Sequence, residues 1–201
     1  MYKNIVFDIG NVILEFKPME YLKTKIKDKE IIPKIYEDIF RSDEWVMLDR
    51  GVISEEEARE KIINRNRKNE NEIRLAFDGW YDLLKPMTES IEIINKLKIQ
   101  GYKVYYLSNF HHYAFNEVTN KNEFFNIFDG GVVSFKEKLL KPEKEIYIKL
   151  LERYNLEPKE TIFIDDTLEN IRGSEVVDIK GILFENPEKL IKEFEKLDIK
   201  L

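Results

Sequence analysis

The stretch Asn4-Ile-Val-Phe-Asp-Ile-Gly-Asn-Val-Ile-Leu14 limits the folds open to this chain more than any other. Ile5, Val6 and Phe7 form a short apolar run of strand-forming residues that ends abruptly in an acid, Asp8. Such a run suits a strand covered on both faces, as in a parallel sheet, although a buried helical turn has the same pattern. Gly10 and Asn11 favour the strand, because both tolerate positive φ and mark a tight turn straight after the acid. Asp8 is therefore expected at the carboxyl end of a strand, the edge where open α/β sheets bind ligands.

A chain of 201 residues can hold one full domain or one domain with a modest insertion. No apolar run approaches the ~18 residues that cross a bilayer, so neither a membrane span nor a signal peptide is expected. The absence of cysteine removes a disulfide framework, a thiolate zinc site and a Cys nucleophile, and a cytoplasmic location is the simplest fit. The net charge of −6 comes from 33 basic and 39 acidic side chains. These are spread along the chain and form no basic block, which argues against a nucleic-acid partner. Nothing in the sequence sets an oligomeric state.

From Phe16 to about Leu84 the pattern is helical. Met19, Leu22 and Ile26, then Ile31, Ile35 and Ile39, recur at spacings of three to four. Ser54 with Glu57 forms a capping box ahead of Ala58, Ile62 and Ile63, and a last helix is expected to carry Ile73, Phe77, Trp80, Leu83 and Leu84. Trp45, Phe77 and Trp80 read as core of this segment. Asp49, Arg50 and Gly51 read as a polar turn between helices, either a substrate-specificity loop or a plain solvated turn. The expected division is an all-helical cap over 16–85, hinged near Phe16 and Lys85-Pro86, inserted into a discontinuous Rossmann-like core of 1–15 and 86–201.

After Met87, helices and strands alternate. Strands are expected at 102–107, Val132-Val133, Thr161–Ile164 and Ile182–Phe184, with Asp129-Gly130-Gly131 as a turn before the second of these. Alternation of this kind predicts an α/β fold with a doubly wound parallel sheet and right-handed crossovers. Strand ends then bring Asp8, Ser108 with Asn109, and Asp165 with Asp166 to one crevice, and Lys141 can reach the same edge. Carboxylates ~4 Å apart repel by about 4 kcal/mol at an effective dielectric of ~20, so the cluster implies a counter-cation. Oxygen ligands suit Mg²⁺, bound through carboxylates and a substrate phosphate. Phosphoryl transfer to an aspartate, from a small phosphorylated metabolite, satisfies each of these requirements.

This set of stretches resembles the haloacid dehalogenase-like superfamily, over nearly the whole chain. Phe-Asp8-Ile-Gly-Asn-Val is similar to its first motif, Leu-Ser108-Asn109 to its second, Lys141-Pro142 to its third, and Ile-Asp165-Asp166 with Asn170 to its fourth. The resemblance implies that Asp8 is the nucleophile and that Asp8, the Gly10 carbonyl and Asp166 hold Mg²⁺. It further implies that Asp165 assists through water or orients the site, that Ser108 and Asn109 bind the phosphoryl group, and that Lys141 neutralises it. Most members carry a second aspartate two residues after the nucleophile as general acid and base, and Gly10 stands there instead. The Asp-x-Gly-Asn-Val form resembles a bacterial subgroup that includes glucose-1-phosphate phosphatases. The expected activity is Mg²⁺-dependent hydrolysis of small phosphate monoesters, a sugar phosphate foremost, through an aspartyl-phosphate on Asp8. A 2-haloacid dehalogenase, and a binding or regulatory protein that lost turnover with the acid at position 10, stand as alternatives. His111 and His112 follow the second motif, either as surface groups at a helix start or as replacements for the missing acid.

Overall fold

The structure, a computed structural model, describes residues 1–201. Between β1 (Asn4–Phe7) and the rest of the sheet the chain forms five helices, α1 (Pro18–Lys25), α2 (Ile32–Phe40), α3 (Asp43–Arg50), α4 (Glu55–Arg65) and α5 (Glu70–Phe77). It then alternates α6 (Thr88–Ile99), β2 (Lys103–Ser108), α7 (His112–Lys121), β3 (Gly130–Val133), α8 (Ser134–Glu137), α9 (Lys144–Tyr154), β4 (Thr161–Asp165), α10 (Leu168–Glu175), β5 (Lys180–Leu183) and α11 (Pro187–Lys196). The five strands are parallel, in the order β3-β2-β1-β4-β5. No helix is long and apolar enough to cross a membrane.

β1 is central, and every one of its side chains is buried. Ile5 and Phe7 pack under α6 and α11, through Ile94, Leu97 and Phe194, while Val6 packs under α9 and α10 through Tyr147, Leu150 and Ile171. Burial on both faces is what the unbroken apolar run requires. The chain winds outward from β1 to β2 and β3, then returns across the sheet to β4 and β5, so the order reverses at β1. Crevices at such a reversal are where open α/β sheets bind ligands. Pairing of Phe7 with Ile164, continued by the Asp8 N–H to the Ile164 carbonyl at 2.8 Å, sets Asp8 beside Asp165.

Gly130 and Gly131 lie within β3, where the sequence pattern suggested a turn. Two tyrosine rings account for the difference. A Cβ on Gly131 would come within 2.2 Å of the Tyr106 ring, and one on Gly130 within 2.5 Å of Tyr154. The Tyr154 hydroxyl accepts from the Gly131 N–H (2.7 Å) and donates to its carbonyl (3.0 Å). The glycines are there for close approach of the rings.

In the helical layer the capping box forms in full, with Ser54 N–H to Glu57 Oε2 at 2.7 Å and Glu57 N–H to Ser54 Oγ at 3.2 Å. Two expectations need correction. Asp49 and Arg50 are the last turn of α3, which starts at a Ser42 cap and closes at left-handed Gly51 (φ 69°), so they form no inter-helix turn. Val46 and Met47 stay exposed in that helix, which blurs its apolar period. The single helix expected over 73–84 breaks at Asp78 and left-handed Gly79, and a 3₁₀ turn carries Trp80–Leu83.

The two chain crossings lie side by side, with Glu15 N–H to the Lys85 carbonyl and Met87 N–H to the Ile13 carbonyl, each 2.8 Å. The helical layer's apolar core, with Ile35, Ile39, Ile62 and Ile73, runs on without a gap into Phe110, Phe115, Val118 and Phe135 of the α/β layer. Trp45, Phe77 and Trp80 belong to that core, as their sequence pattern indicated. Gly131→Ala, which forces a methyl into the Tyr106 ring, is expected to destabilise the protein by ~1–3 kcal/mol. Urea unfolding measures this as a lower midpoint at unchanged slope, and an unchanged midpoint would mean that the ring moves aside freely.

Candidate active site

A buried lysine joins two of the three acids. Lys141 Nζ lies 2.8 Å from Asp8 Oδ1 and 2.6 Å from Asp165 Oδ2, with 1% of its side chain exposed. Burial opposes charge on the ammonium, but Asp165 and Asp8 together hold its pKa above the ordinary lysine value. For Asp8 the balance differs. Burial pushes its carboxyl up to about 7, Lys141 works against that rise and Asp165 adds to it. Removing one partner from a buried ion pair typically costs 3–5 kcal/mol, because the other charge stays uncompensated.

Asp165 is fully buried and its oxygens are well occupied. They accept from Lys141, from the Thr167 N–H (2.8 Å) and from the Asn170 amide, which lies 3.1 Å from both. Asn170 is held in turn by the Tyr147 hydroxyl, which donates to its carbonyl at 2.7 Å. This saturation suits the orienting role expected of Asp165. Asp166 is more open. Its pKa is raised, by burial first and by Asp165, and the amide of Asn11 at 3.0 Å opposes the rise.

Asn11 is a site residue whose side-chain role the sequence reading did not reach. It sits at φ 53°, its Oδ1 accepts from the Phe16 N–H at 3.0 Å, and its amide steers Asp166. Asn and Gly at a turn signal backbone shape, and give no sign of a contact across 155 residues.

Asp8, Asp165 and Asp166 each offer a carboxylate oxygen within 4.8 Å of the others. When all are ionised, three negative charges face the single positive charge of Lys141. A hard, oxygen-seeking divalent cation fits that donor set and its excess charge.

Ser108 ends β2 at 1% exposure, and its hydroxyl is among the groups that favour the charged form of Asp8. The Asn109 side chain, expected at the phosphoryl group, is engaged with the backbone of Lys141. Its amide donates to the Lys141 carbonyl (3.1 Å) and its Oδ1 accepts from the Lys141 N–H (2.9 Å), a reciprocal clamp that sets the backbone from which Lys141 projects.

Next to the acids in sequence, Gly10 borders a cavity of about 100 Å³ together with Asn109, Phe110 and His111 from the α/β layer and Phe16, Trp45, Asp49, Trp80 and Leu84 from the chain between β1 and α6. A Cβ at Gly10 would meet nothing within 4 Å. His111 is 3% exposed, so the surface reading fails for it: Trp45 and Trp80 enclose its ring, with centroids at 4.2 and 5.0 Å. Its Nε2 lies 3.2 Å from Asp49 Oδ1, but neither ring nitrogen completes a hydrogen bond. Burial lowers its pKa to about 3. Asp49 is raised to about 8 by burial and by the Asp8 charge, with Lys141 opposing. His112 is exposed and pairs with Asn116 at 3.1 Å. Arg50 does not reach the cavity. Its guanidinium grips both oxygens of Glu143 and the Lys138 carbonyl (3.1 Å), strapping α3 to the α/β layer.

Residues 2–178 match the family model described as haloacid dehalogenase-like hydrolase. The chain is 26% identical over 181 residues to a sesquiterpene phosphatase, astK, of Aspergillus oryzae, covering 90% of this chain and 89% of that one. Among solved structures, an HAD family enzyme of Bacteroides thetaiotaomicron, bt-2542, in complex with magnesium and inorganic phosphate, superposes with a TM-score of 0.73 at 25% identity. That match covers 92% of this chain and 95% of the other. The L-2-haloacid dehalogenase of Xanthobacter autotrophicus shares the fold, with a TM-score of 0.65 at 14% identity over 98% of this chain and 83% of its own. With four motif stretches meeting at one sheet edge and a family match over most of its length, this chain belongs to the haloacid dehalogenase-like hydrolases.

Proposed function

We propose that this chain is a Mg²⁺-dependent phosphatase of small monoesters that works through an aspartyl-phosphate on Asp8. The observation that carries the proposal is Lys141 held between Asp8 and Asp165, with the Asp166 carboxylate beside them. A phosphate monoester carries close to two negative charges at pH 7, so a carboxylate can approach it only where positive charge is concentrated. The phosphatase relative and the relative solved with magnesium and phosphate support the same reading. Displacement at carbon, as in a dehalogenase, needs no metal and would leave the third acid without a use.

In this reading Asp8, Asp166 and the Gly10 carbonyl would hold Mg²⁺, with Asp165 assisting from behind, and the ion would supply charge against the phosphoryl oxygens. Lys141 fixes the Asp8 carboxylate and offsets the incoming charge. Ser108 donates to a phosphoryl oxygen, while Asn109 keeps Lys141 in place. Asp8 attacks phosphorus, the ester oxygen departs toward the cavity over Gly10, and water then hydrolyses the acyl phosphate. The helices of 16–85 act as a cap whose closure excludes water, the paired crossings at 13–15 and 85–87 serving as the hinge.

The cavity also bears on substrate class. Its walls are mostly aromatic, with Asp49, His111 and Asn109 as the side chains able to hydrogen-bond. We favour a compact leaving group with an apolar face. A sugar phosphate fits if it lays the C–H face of its ring on Trp45 or Trp80 and turns its hydroxyls to Asp49 and His111. A panel of aryl, alkyl, prenyl and sugar phosphates, assayed with Mg²⁺ and after EDTA, tests both readings. Activity is expected to vanish with EDTA and return with Mg²⁺, and to be higher on apolar-faced esters than on open-chain polyol phosphates. Asp8→Asn is expected to lower turnover by on the order of 10⁴-fold or more. Full activity after EDTA would overturn the metal assignment, and halide release from 2-haloacids at a comparable rate would favour the dehalogenase.

A further inference from the structure

A departing alkoxide needs a proton, and Gly10 has no side chain to give one. The space where an acid at position 10 would stand is open, and Gly10, two residues after Asp8, borders a cavity of about 100 Å³. Two titratable side chains line that same cavity, Asp49 from the end of α3 and His111 from the start of α7. They are 3.2 Å apart. Both nitrogens of the buried imidazole lack a partner, although buried polar groups are satisfied in the great majority of cases. An unpaired imidazole facing a cavity beside a carboxyl is poised for a ligand hydroxyl or a shared proton.

The end of α3 is also tethered more firmly than a surface turn. Gly51 closes it, the Ser134 hydroxyl donates to the Asp49 carbonyl, and Arg50 straps it to Glu143. Asp49 is thus presented to the catalytic edge from fixed backbone. We propose that Asp49, reaching in from the cap, is the general acid and base that position 10 lacks, with the His111 imidazole beside it to orient the carboxyl during turnover. The inference rests on the reading of Asp8 as phosphatase nucleophile.

Proton placement agrees with the geometry. The titratable groups acting on Asp49 are His111, Asp8 and Lys141. Burial and the Asp8 charge hold its carboxyl up to about 8, so it keeps its proton at neutral pH. His111, pushed down to about 3, is then a neutral acceptor. In the first step Asp8 forms a bond to phosphorus and the phosphorus–oxygen bond to the leaving group breaks. The freed electron pair takes the Asp49 proton, giving alcohol, aspartyl-phosphate and an Asp49 carboxylate. In the second step Asp49 recovers a proton from the water that attacks phosphorus, releasing inorganic phosphate and restoring Asp8.

The test compares kcat/KM for 4-nitrophenyl phosphate, whose leaving group needs little protonation, with that for the phosphate ester of 2-phenylethanol, at pH 7 with Mg²⁺. In Asp49→Asn the alkyl-to-aryl ratio is expected to fall by about 10²- to 10⁴-fold. Adding Gly10→Asp to that variant, where the backbone leaves room for the side chain, is expected to recover much of the ratio. A burst of 4-nitrophenol in Asp49→Asn reports an intact fold and nucleophile. Equal slowing of both esters with the burst intact would overturn the assignment of Asp49 alone, as would loss of the burst in Asp49→Asn. A wild type that shows no burst and no Mg²⁺-dependent turnover would overturn the Asp8 reading, and this inference with it.

Discussion

Lys141 puts a positive charge where the sheet would otherwise bring only negative ones together. The carboxyl ends of β1 and β4 are neighbours, so Asp8 and Asp165 must be close, and both are buried. Like charges at such range repel by several kcal/mol at protein-like dielectric. The ammonium 2.8 and 2.6 Å from them converts that repulsion into a bridge. Every neighbouring contact serves to keep the bridge in place: Asn109 clamps the lysine backbone, Asn170 and Thr167 hold Asp165, and Tyr147 holds Asn170. Four stretches distant in the chain thereby become one hydrogen-bonded unit, and Asp166 stands at its open side, tied to the first stretch through Asn11.

The helical layer sets the medium in which this unit works. Its aromatic residues Phe16, Phe40, Trp45 and Trp80 pack on one another with centroids 4.6 to 6.5 Å apart, and His111 lies against two of them. An apolar ceiling lowers the local dielectric, which strengthens the Lys141 bridge and raises the pKa of both Asp8 and Asp49. Because the same apolar cluster runs into α7 and the end of β3, the ceiling is held to the sheet edge by packing as well as by the Arg50 strap.

Much of this was legible in the sequence, and what was not has physical reasons. An apolar run that ends in a polar residue and a turn reads as a strand end once helices and strands alternate around it, so Asp8, Ser108 and Asp165 could be placed on one edge from sequence. Helix periods in 16–85 were readable wherever one face is buried. α3 was not, since two of its apolar residues face solvent, and Asp49 and Arg50 were read as a turn. Gly130 and Gly131 read as a turn because glycine signals both positive φ and close approach, and only the Tyr106 and Tyr154 rings decide between them. Side-chain partners between distant stretches leave no local pattern. The Asn11–Asp166 contact, the Asn109 clamp on Lys141 and the burial of His111 beside Asp49 all fall in that class.

The central claim is that Asp8 becomes covalently phosphorylated. Its most direct measurement is rapid acid quench of the wild type during turnover of 4-nitrophenyl phosphate with Mg²⁺, followed by peptide mass mapping. The account predicts one phosphorylated peptide, containing Asp8, that is absent from Asp8→Asn and disappears when the substrate is exhausted. Continuing turnover with no phosphate on the Asp8 peptide at any quench time, or the same adduct on a different acid, would contradict it.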